Sequence, residues 1–263
     1  ICGTNESLSK MDSSVIRNYY NRTYRPQNAV VAVTGNFDKE DMIRKLENVF
    51  GKWDSSGYVA ADYLPATYVP TVLTIDKDVE QIHMCFTFKA PKRDSKHRYS
   101  LAVLNTLFGG GMSSRLFQKI REEEGLVYTI YSYTSAYSDT GIMTVYACSS
   151  PQKAENVINS VFKEIKRLKT EKIEDKLIEV TKEQIISNYI ISSESTASRL
   201  SSNGGGMILS GKVLPMEEIL EKMELVDYDA VKEAIDEIFI ADNLSFSAVG
   251  NINTVSYTHL TLP

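Results

Sequence analysis

The sequence predicts an α+β chain, and three observations carry that prediction. Apolar residues recur at helical spacing in several long stretches, as at Val157, Ile158, Val161, Ile165 and Leu168. In two adjoining stretches, Leu126 to Tyr133 and Gly141 to Cys148, the period falls to two and β-branched and aromatic residues dominate. Finally, a helix, turn and strand near one end of the chain recurs near the other. At one constant offset Asp12 falls on Asp227, Asn28 on Asn243, Gly35 on Gly250 and Asn36 on Asn251. These positions are a helix cap, a loop residue and a turn, where backbone geometry restricts the choice of residue.

Taken in order, residues 12–24 read as an amphipathic helix with Asp12 or Ser13 as cap and Val15, Ile16, Tyr19 and Tyr20 on the buried side. Pro26 and Asn28 end it, Val30 to Thr34 reads as an apolar strand, Gly35 and Asn36 turn the chain, and Asp38 to Phe50 supplies another helix. Residues 54–70 lose periodicity and suit a linker. Strands at Val72 to Ile75 and Ile82 to Phe88 follow, then a helix from Lys96 to Phe108. Gly109, Gly110 and Gly111 sit uncomfortably in a helix or strand, so they predict a mobile loop where backbone can approach another chain closely. Ser113 or Ser114 caps the next helix, Leu116, Phe117 and Ile120 form its apolar stripe, and Gly125 stops it. Ser138 to Gly141 supplies the turn between the two period-two strands.

Ser150 and Pro151 then open the long amphipathic helix, and residues 172–191 give a second with charge outside. Ser193 to Leu209 reads as a helix interrupted by Gly204, Gly205 and Gly206, Met216 to Phe239 as two more helices, and Leu244 to Val249 as a strand. The terminal VSYTHLTLP looks like translated sequencing-adapter read-through and is set aside. Residues 1–70 therefore read as the C-terminal part of a first repeat with its linker, 71–254 as a second repeat truncated at its end, and 255–263 as a non-native tail.

Composition narrows the function. With 263 residues, 43% apolar and 24% charged, the chain is long enough for one large or two ordinary globular domains. Net charge is -5 with both signs interspersed, so no basic footprint points to nucleic acid or an anionic membrane. No run approaches the roughly 18 apolar residues of a membrane span. Cys2, Cys85 and Cys148 form no CxxC pair, which reads as buried free thiols and a reducing, cytoplasmic setting. The histidines, His83, His97 and His259, have no second histidine three or four residues away, so no metal site is expected within these residues. On chemistry alone Arg121 among glutamates is a surface ion-pairing residue, and Tyr128 is ordinary strand composition.

The stretch SRLFQKIREEEGLVY, with the triglycine before it and the hairpin after it, closely resembles the second-half signature of the insulinase-like (pitrilysin, mitochondrial processing peptidase, M16) zinc metallopeptidases. The run Glu122 to Glu124 departs from relatives that often carry a basic residue there. The resemblance covers residues 1–253 and implies repeated α+β units, each a mixed, mainly antiparallel sheet packed by helices. It implies that Arg121 hydrogen-bonds substrate backbone, that Tyr128 donates to the developing oxyanion, and that Gly109, Gly110 and Gly111 handle peptide substrate. It also implies zinc in the intact protein, held by a His-x-x-Glu-His motif with a later Glu in the first unit. That motif does not occur in this sequence, so the fragment is expected to be inactive. The expected partners are a peptide substrate and the first-half domain, in the same chain or in a dimer. The alternative is a non-catalytic partner or scaffold subunit of an M16-type complex.

Overall fold

The structure is a computed structural model and describes residues 2–58, 60 and 63–251; His259 and the suspect tail lie outside the described residues. In chain order the elements are α1 (Asn5–Ser9), α2 (Ser13–Thr23), α3 (Lys39–Phe50), β1 (Val72–Asp76), β2 (Ile82–Ala90), α4 (Arg98–Gly109), a π-helix (Phe117–Glu123), β3 (Thr129–Ala136), β4 (Gly141–Ser149), α5 (Ala154–Thr170), α6 (Asp175–Ser193), α7 (Thr196–Ser210), α8 (Met216–Glu224), α9 (Tyr228–Ile238) and β5 (Leu244–Gly250). They fall into two compact units, one from Ile1–Leu64 with Ser192–Leu214 and one from Pro65–Ile191 with Pro215–Pro263.

The second unit holds the sheet. Its five strands run in the order β1-β5-β2-β4-β3. β1 is parallel to β5 and every other neighbouring pair is antiparallel, so the sheet is mixed and mainly antiparallel. The period-two pattern explains which face is covered. Ile82, Met84, Phe86 and Phe88 of β2 point inward with Met143, Val145 and Ala147 of β4, and all seven are fully buried. Helices α4, α5 and α9 cover this face, and Phe239 joins two of its layers by edge-on contacts to Phe88 at 5.1 Å and Phe108 at 5.4 Å. In α5, Val157, Ile158, Val161, Ile165 and Leu168 are buried, as the helical spacing indicates.

The other face carries His83, Cys85 and Thr87 of β2 beside Cys148, Tyr146 and Thr144 of β4 and Thr129, Tyr131 and Tyr133 of β3. A strap of residues 65–71 lies over one end of it. Ala66 N–H donates to Asp139 in the β3–β4 turn (2.6 Å), and the Tyr68 hydroxyl donates to the Thr87 carbonyl (2.8 Å) beside Ser245 Oγ (2.8 Å). The stretch that reads as a linker therefore ends as a hydrogen-bonded cover over the Thr87 end of the sheet.

In the first unit, Asp12 caps α2 by accepting from Ser14 and Val15 N–H, and Asp38 caps α3 by accepting from Asp41 N–H. The expected buried side of α2 is not buried: Val15, Ile16, Tyr19 and Tyr20 are 42–61% exposed. Nor is Val30 to Thr34 a strand, although Ala29 is extended. A strand needs a ladder partner, and none lies beside these residues among those described. No second sheet, and hence no repeated sheet unit, is present among the described residues. The helix α7 runs unbroken through Gly204, Gly205 and Gly206, contrary to the expected interruption, and ends at Gly211 in the left-handed region. A Cβ on Gly206 would meet the Lys212 carbonyl oxygen at 2.9 Å, so a small residue lets the chain fold back there.

Candidate functional site

The site is built on one continuous passage, from the end of α4 through the π-helix to β3. Gly109 is the last residue of α4 and is buried, not part of a mobile loop. A Cβ there would lie 2.5 Å from Ser132 Oγ and 2.6 Å from Ser132 N, so the missing side chain lets α4 close onto β3. Ser132 Oγ donates to Asn105 Oδ1 on the same helix (2.9 Å), fixing that contact. Gly110 is the C-cap, and a Cβ on it would strike Thr106 Cα at 2.6 Å. Only Gly111 faces open space, and it is exposed. The triglycine thus divides into one buried packing position, Gly109, and two exposed positions, Gly110 and Gly111.

The following helix begins at Ser114, whose carbonyl accepts from Gln118 N–H (3.0 Å), but the buried Ser114 hydroxyl has no hydrogen-bond partner among the described residues and does not cap it, and the helix widens to a π-helix over Phe117–Glu123. Its wide register is closed by Glu124 N–H to the Lys119 carbonyl (3.0 Å), an i to i+5 bond. Gly125 then adopts φ 58°, and Leu126 N–H reaches back to the Ile120 carbonyl (3.0 Å). This tight reversal consumes residues that alternation alone assigns to a strand. β3 therefore starts at Thr129, and Tyr128 stands just before it, its N–H donating to the Cys148 carbonyl (2.8 Å).

Arg121 sits in the last turn of the π-helix with its guanidinium 4.6 Å over the Phe117 ring. The acidic run does not capture it. Glu123 binds Lys119 (2.5 Å), Glu124 accepts from the Ser160 hydroxyl (2.6 Å), and Glu122 comes only to 4.0 Å from Arg121. The Arg121 side chain is 42% exposed, and Tyr128 is 59% exposed. Both side chains are thus substantially exposed, one on either side of Gly125.

The remaining sequence candidates take structural roles. His83 Nδ1 lies 2.7 Å from the Tyr146 hydroxyl, and His97 precedes α4 facing Glu233 at 4.0 Å and Glu237 at 3.7 Å on α9. Cys148 is buried and donates to Gln81 Oε1 (2.8 Å), whereas Cys85 is only half-buried and Cys2 is exposed. Burial pushes the thiol pKa values of Cys85 and Cys148 up. The donor set does not fit zinc: no group of three His, Cys, Asp or Glu side chains that could hold a metal ion occurs among the described residues. No described helix is long and apolar enough to cross a membrane. Sequence reasoning passed over the π-widening, which no single residue announces, and the tyrosines of β3, whose alternation was legible in Tyr131 and Tyr133.

Comparison with known proteins agrees with this architecture. The chain is 34% identical over 242 residues to an uncharacterized zinc protease, YmxG, of Bacillus subtilis, covering 92% of this chain and 59% of that protein. It is 32% identical over 240 residues to an uncharacterized zinc protease of Rickettsia felis, covering 91% of this chain and 58% of the relative. The chain thus spans about three-fifths of the length of these curated relatives. Among solved structures, the fold matches a protease from Helicobacter pylori with a TM-score of 0.87 at 16% identity, covering 94% of this chain and 61% of that one. It matches a peptidase M16 inactive domain from Pseudomonas fluorescens with a TM-score of 0.84 at 18% identity, covering 95% and 60%. A chain of complex III from Candida albicans matches with a TM-score of 0.80 at 19% identity, covering 95% and 62%. Residues 10–185 match the family described as Peptidase M16 inactive domain, and the chain belongs to that family.

Proposed function

We propose that the chain is the substrate-clamping half of a zinc metalloendopeptidase that acts on extended or unfolded peptides. The observation that carries this reading is the pair Arg121 and Tyr128, both substantially exposed on one helix-and-hairpin scaffold, with Arg121 held only by the Phe117 ring and a 4.0 Å approach to Glu122. In this reading the Arg121 guanidinium donates to substrate backbone carbonyls and holds the peptide extended. The Tyr128 hydroxyl donates to the carbonyl oxygen as negative charge grows on it, a contact strongest in the transition state and completed when the two halves close. Gly110 and Gly111, both exposed, offer backbone to the peptide, while buried Gly109 holds the passage that carries it.

Residues 1–70 are read as the end of an earlier repeat with its linker, and 71–254 as the inactive repeat. Since the residues present do not fit zinc, its ligands belong to a first-half domain of a longer chain or to a partner subunit in a dimer. The free thiols support a reducing, cytoplasmic setting. In the protein that includes the zinc-bearing half, Tyr128→Phe is expected to lower turnover by about 10² to 10³ with metal content unchanged. Wild-type turnover in that variant removes the assignment.

A second reading, a non-catalytic partner or scaffold subunit, is favoured by the likeness in fold to a chain of complex III. An intact His-x-x-Glu-His motif in the preceding reading frame supports the enzyme, and a degenerate one supports the scaffold.

A further inference from the structure

The helix α5 lays a polar line along the π-helix. Lys153 caps α5 and Glu171 ends it, and Ser160, Glu164 and Arg167 fall between them at a spacing that puts all five on one face. The line meets the π-helix in antiparallel order. At the late end of the π-helix, Lys153 Nζ donates to the Gly125 carbonyl (2.8 Å) and the Ser160 hydroxyl donates to the Glu124 carboxylate (2.6 Å). Further back the ties are electrostatic. The Lys119 pKa is raised first by Glu123 and more weakly by buried Glu164, and the Glu171 carboxyl is lowered first by Arg167 and last by Arg115.

The two hydrogen bonds fall on the residues that close the wide turn. Glu124 supplies the N–H that spans to the Lys119 carbonyl, and this leaves the Ile120 carbonyl to Leu126 N–H. A π turn is rare in a helix left to itself, so outside contacts that select it have a structural consequence. The Ser160 bond is short, as a hydroxyl donating to a charged carboxylate should be, and it is partly buried, whereas the Lys153 bond is exposed. Arg121 stands three residues before Glu124, and Tyr128 stands three after Gly125. Tyr128 is fixed to β4 through its N–H bond to the Cys148 carbonyl. Return of the helix to i to i+4 bonding would therefore turn Arg121 relative to Tyr128 by about 100°, one residue's share of a 3.6-residue turn.

We infer that Ser160 on α5 is a positioning residue, whose bond to Glu124 selects the π register of the neighbouring helix and so sets Arg121 against Tyr128. The register stands on the hydrogen bonds alone. Its consequence for turnover rests on the clamp reading proposed for Arg121 and Tyr128.

The register is read in this chain as amide-exchange protection, and its consequence as turnover in the protein that includes the zinc-bearing half. In Ser160→Ala the amides of Glu124 and Leu126 are expected to lose about tenfold in protection, the scale of one hydrogen bond to a charged group, while the Val145 amide in the sheet core keeps its own. Glu124→Ala should give the same loss at positions 124 and 126, and the two substitutions together no more than either alone. Glu124→Ala also decides the matter by itself should Ser160→Ala fail to fold. Unchanged protection, a loss shared by Val145, or additive losses in the double variant would each overturn the inference. In the complete protein, Ser160→Ala is expected to lower kcat about three- to tenfold with metal content unchanged, to add almost nothing to Tyr128→Phe, and to be largely recovered by Ser160→Thr, which keeps the hydroxyl. A full further loss in the Tyr128→Phe background would make Ser160 a general support of the fold and overturn its positioning role. So would unchanged turnover in Ser160→Ala where Tyr128→Phe is slow. Unaltered turnover in Tyr128→Phe itself removes the clamp reading, and the exchange data then decide the register alone.

Discussion

The passages α2 to Gly35 and α9 to Gly250 are alike in local geometry and opposite in what they bury. Each begins with an aspartate cap and an eleven-residue helix, passes a 3-10 turn at Pro26–Asn28 or Ala241–Asn243, and ends at a glycine with φ of 149° or 151°. Yet α9 buries Val231, Ala234, Ile235 and Ile238, and the residues after it form β5 between β1 and β2. The helix α2 buries nothing, and Val30, Val31 and Val33 stay 38–50% exposed. Caps, helix length and turns are thus set by nearby residues, whereas strand and core status depend on partners distant in sequence.

Substitutions at matched positions can break that comparison. The largest expected effect is at Phe246, 1% exposed, where Phe246→Ala should cost about 3–5 kcal/mol in urea unfolding. Val31, its counterpart by offset, is 50% exposed, and Val31→Ala should change stability by no more than about 0.5 kcal/mol. Comparable losses at both would show that the first passage is packed like the second. Next come the terminal glycines. A Cβ on Gly250 would lie 2.8 Å from Ile82 Cα, whereas one on Gly35 meets nothing within 4 Å. Backbone strain applies to both but the clash only to Gly250, so Gly250→Ala should cost about 2–4 kcal/mol and Gly35→Ala about 1–2 kcal/mol by thermal unfolding.

The caps should behave alike. Asp12→Ala and Asp227→Ala are each expected to cost about 1 kcal/mol, read as faster amide exchange in the first turn of α2 and α9. A cost at only one would mean that tertiary context, not the cap, holds that helix. The smallest effect is a pH dependence confined to the sheet unit. The Tyr146 pKa is raised from 10.0 to about 12, chiefly by burial. Above pH 10 the unfolded chain therefore loses a proton that the folded chain retains, so this contribution is full below pH 10 and is lost as pH rises through about 12. Tyr146→Phe should flatten that fall in a difference titration, and an unchanged profile would assign the fall to other groups.

The same division decides how much was legible in the sequence. The buried stripe of α5, the Asp12 cap and the β3–β4 turn follow from short-range patterns, and the structure has them. The strand at Val30 to Thr34 and the buried side of α2 do not form, because apolar alternation marks a willingness to be buried without supplying the partner. At the candidate site, Arg121 and Tyr128 were singled out by family resemblance, since residue chemistry alone reads them as surface ion pairing and ordinary strand composition. The three-residue delay of β3 was not legible, because the i to i+5 bond of the π-helix is a backbone arrangement with no residue signature. The triglycine misled for a related reason. Glycine allows both a loose loop and a close contact, and only Ser132, distant in sequence, shows that Gly109 serves the second.

The most direct measurement of the central claim is chelator-sensitive cleavage of an unfolded peptide, by the purified chain alone and by the protein that supplies the His-x-x-Glu-His half. The expected result is no cleavage by the chain alone, and zinc-dependent cleavage by the complete protein that falls about 10²- to 10³-fold in Tyr128→Phe. Chelator-sensitive cleavage by the chain alone, abolished by Tyr128→Phe, would contradict the account.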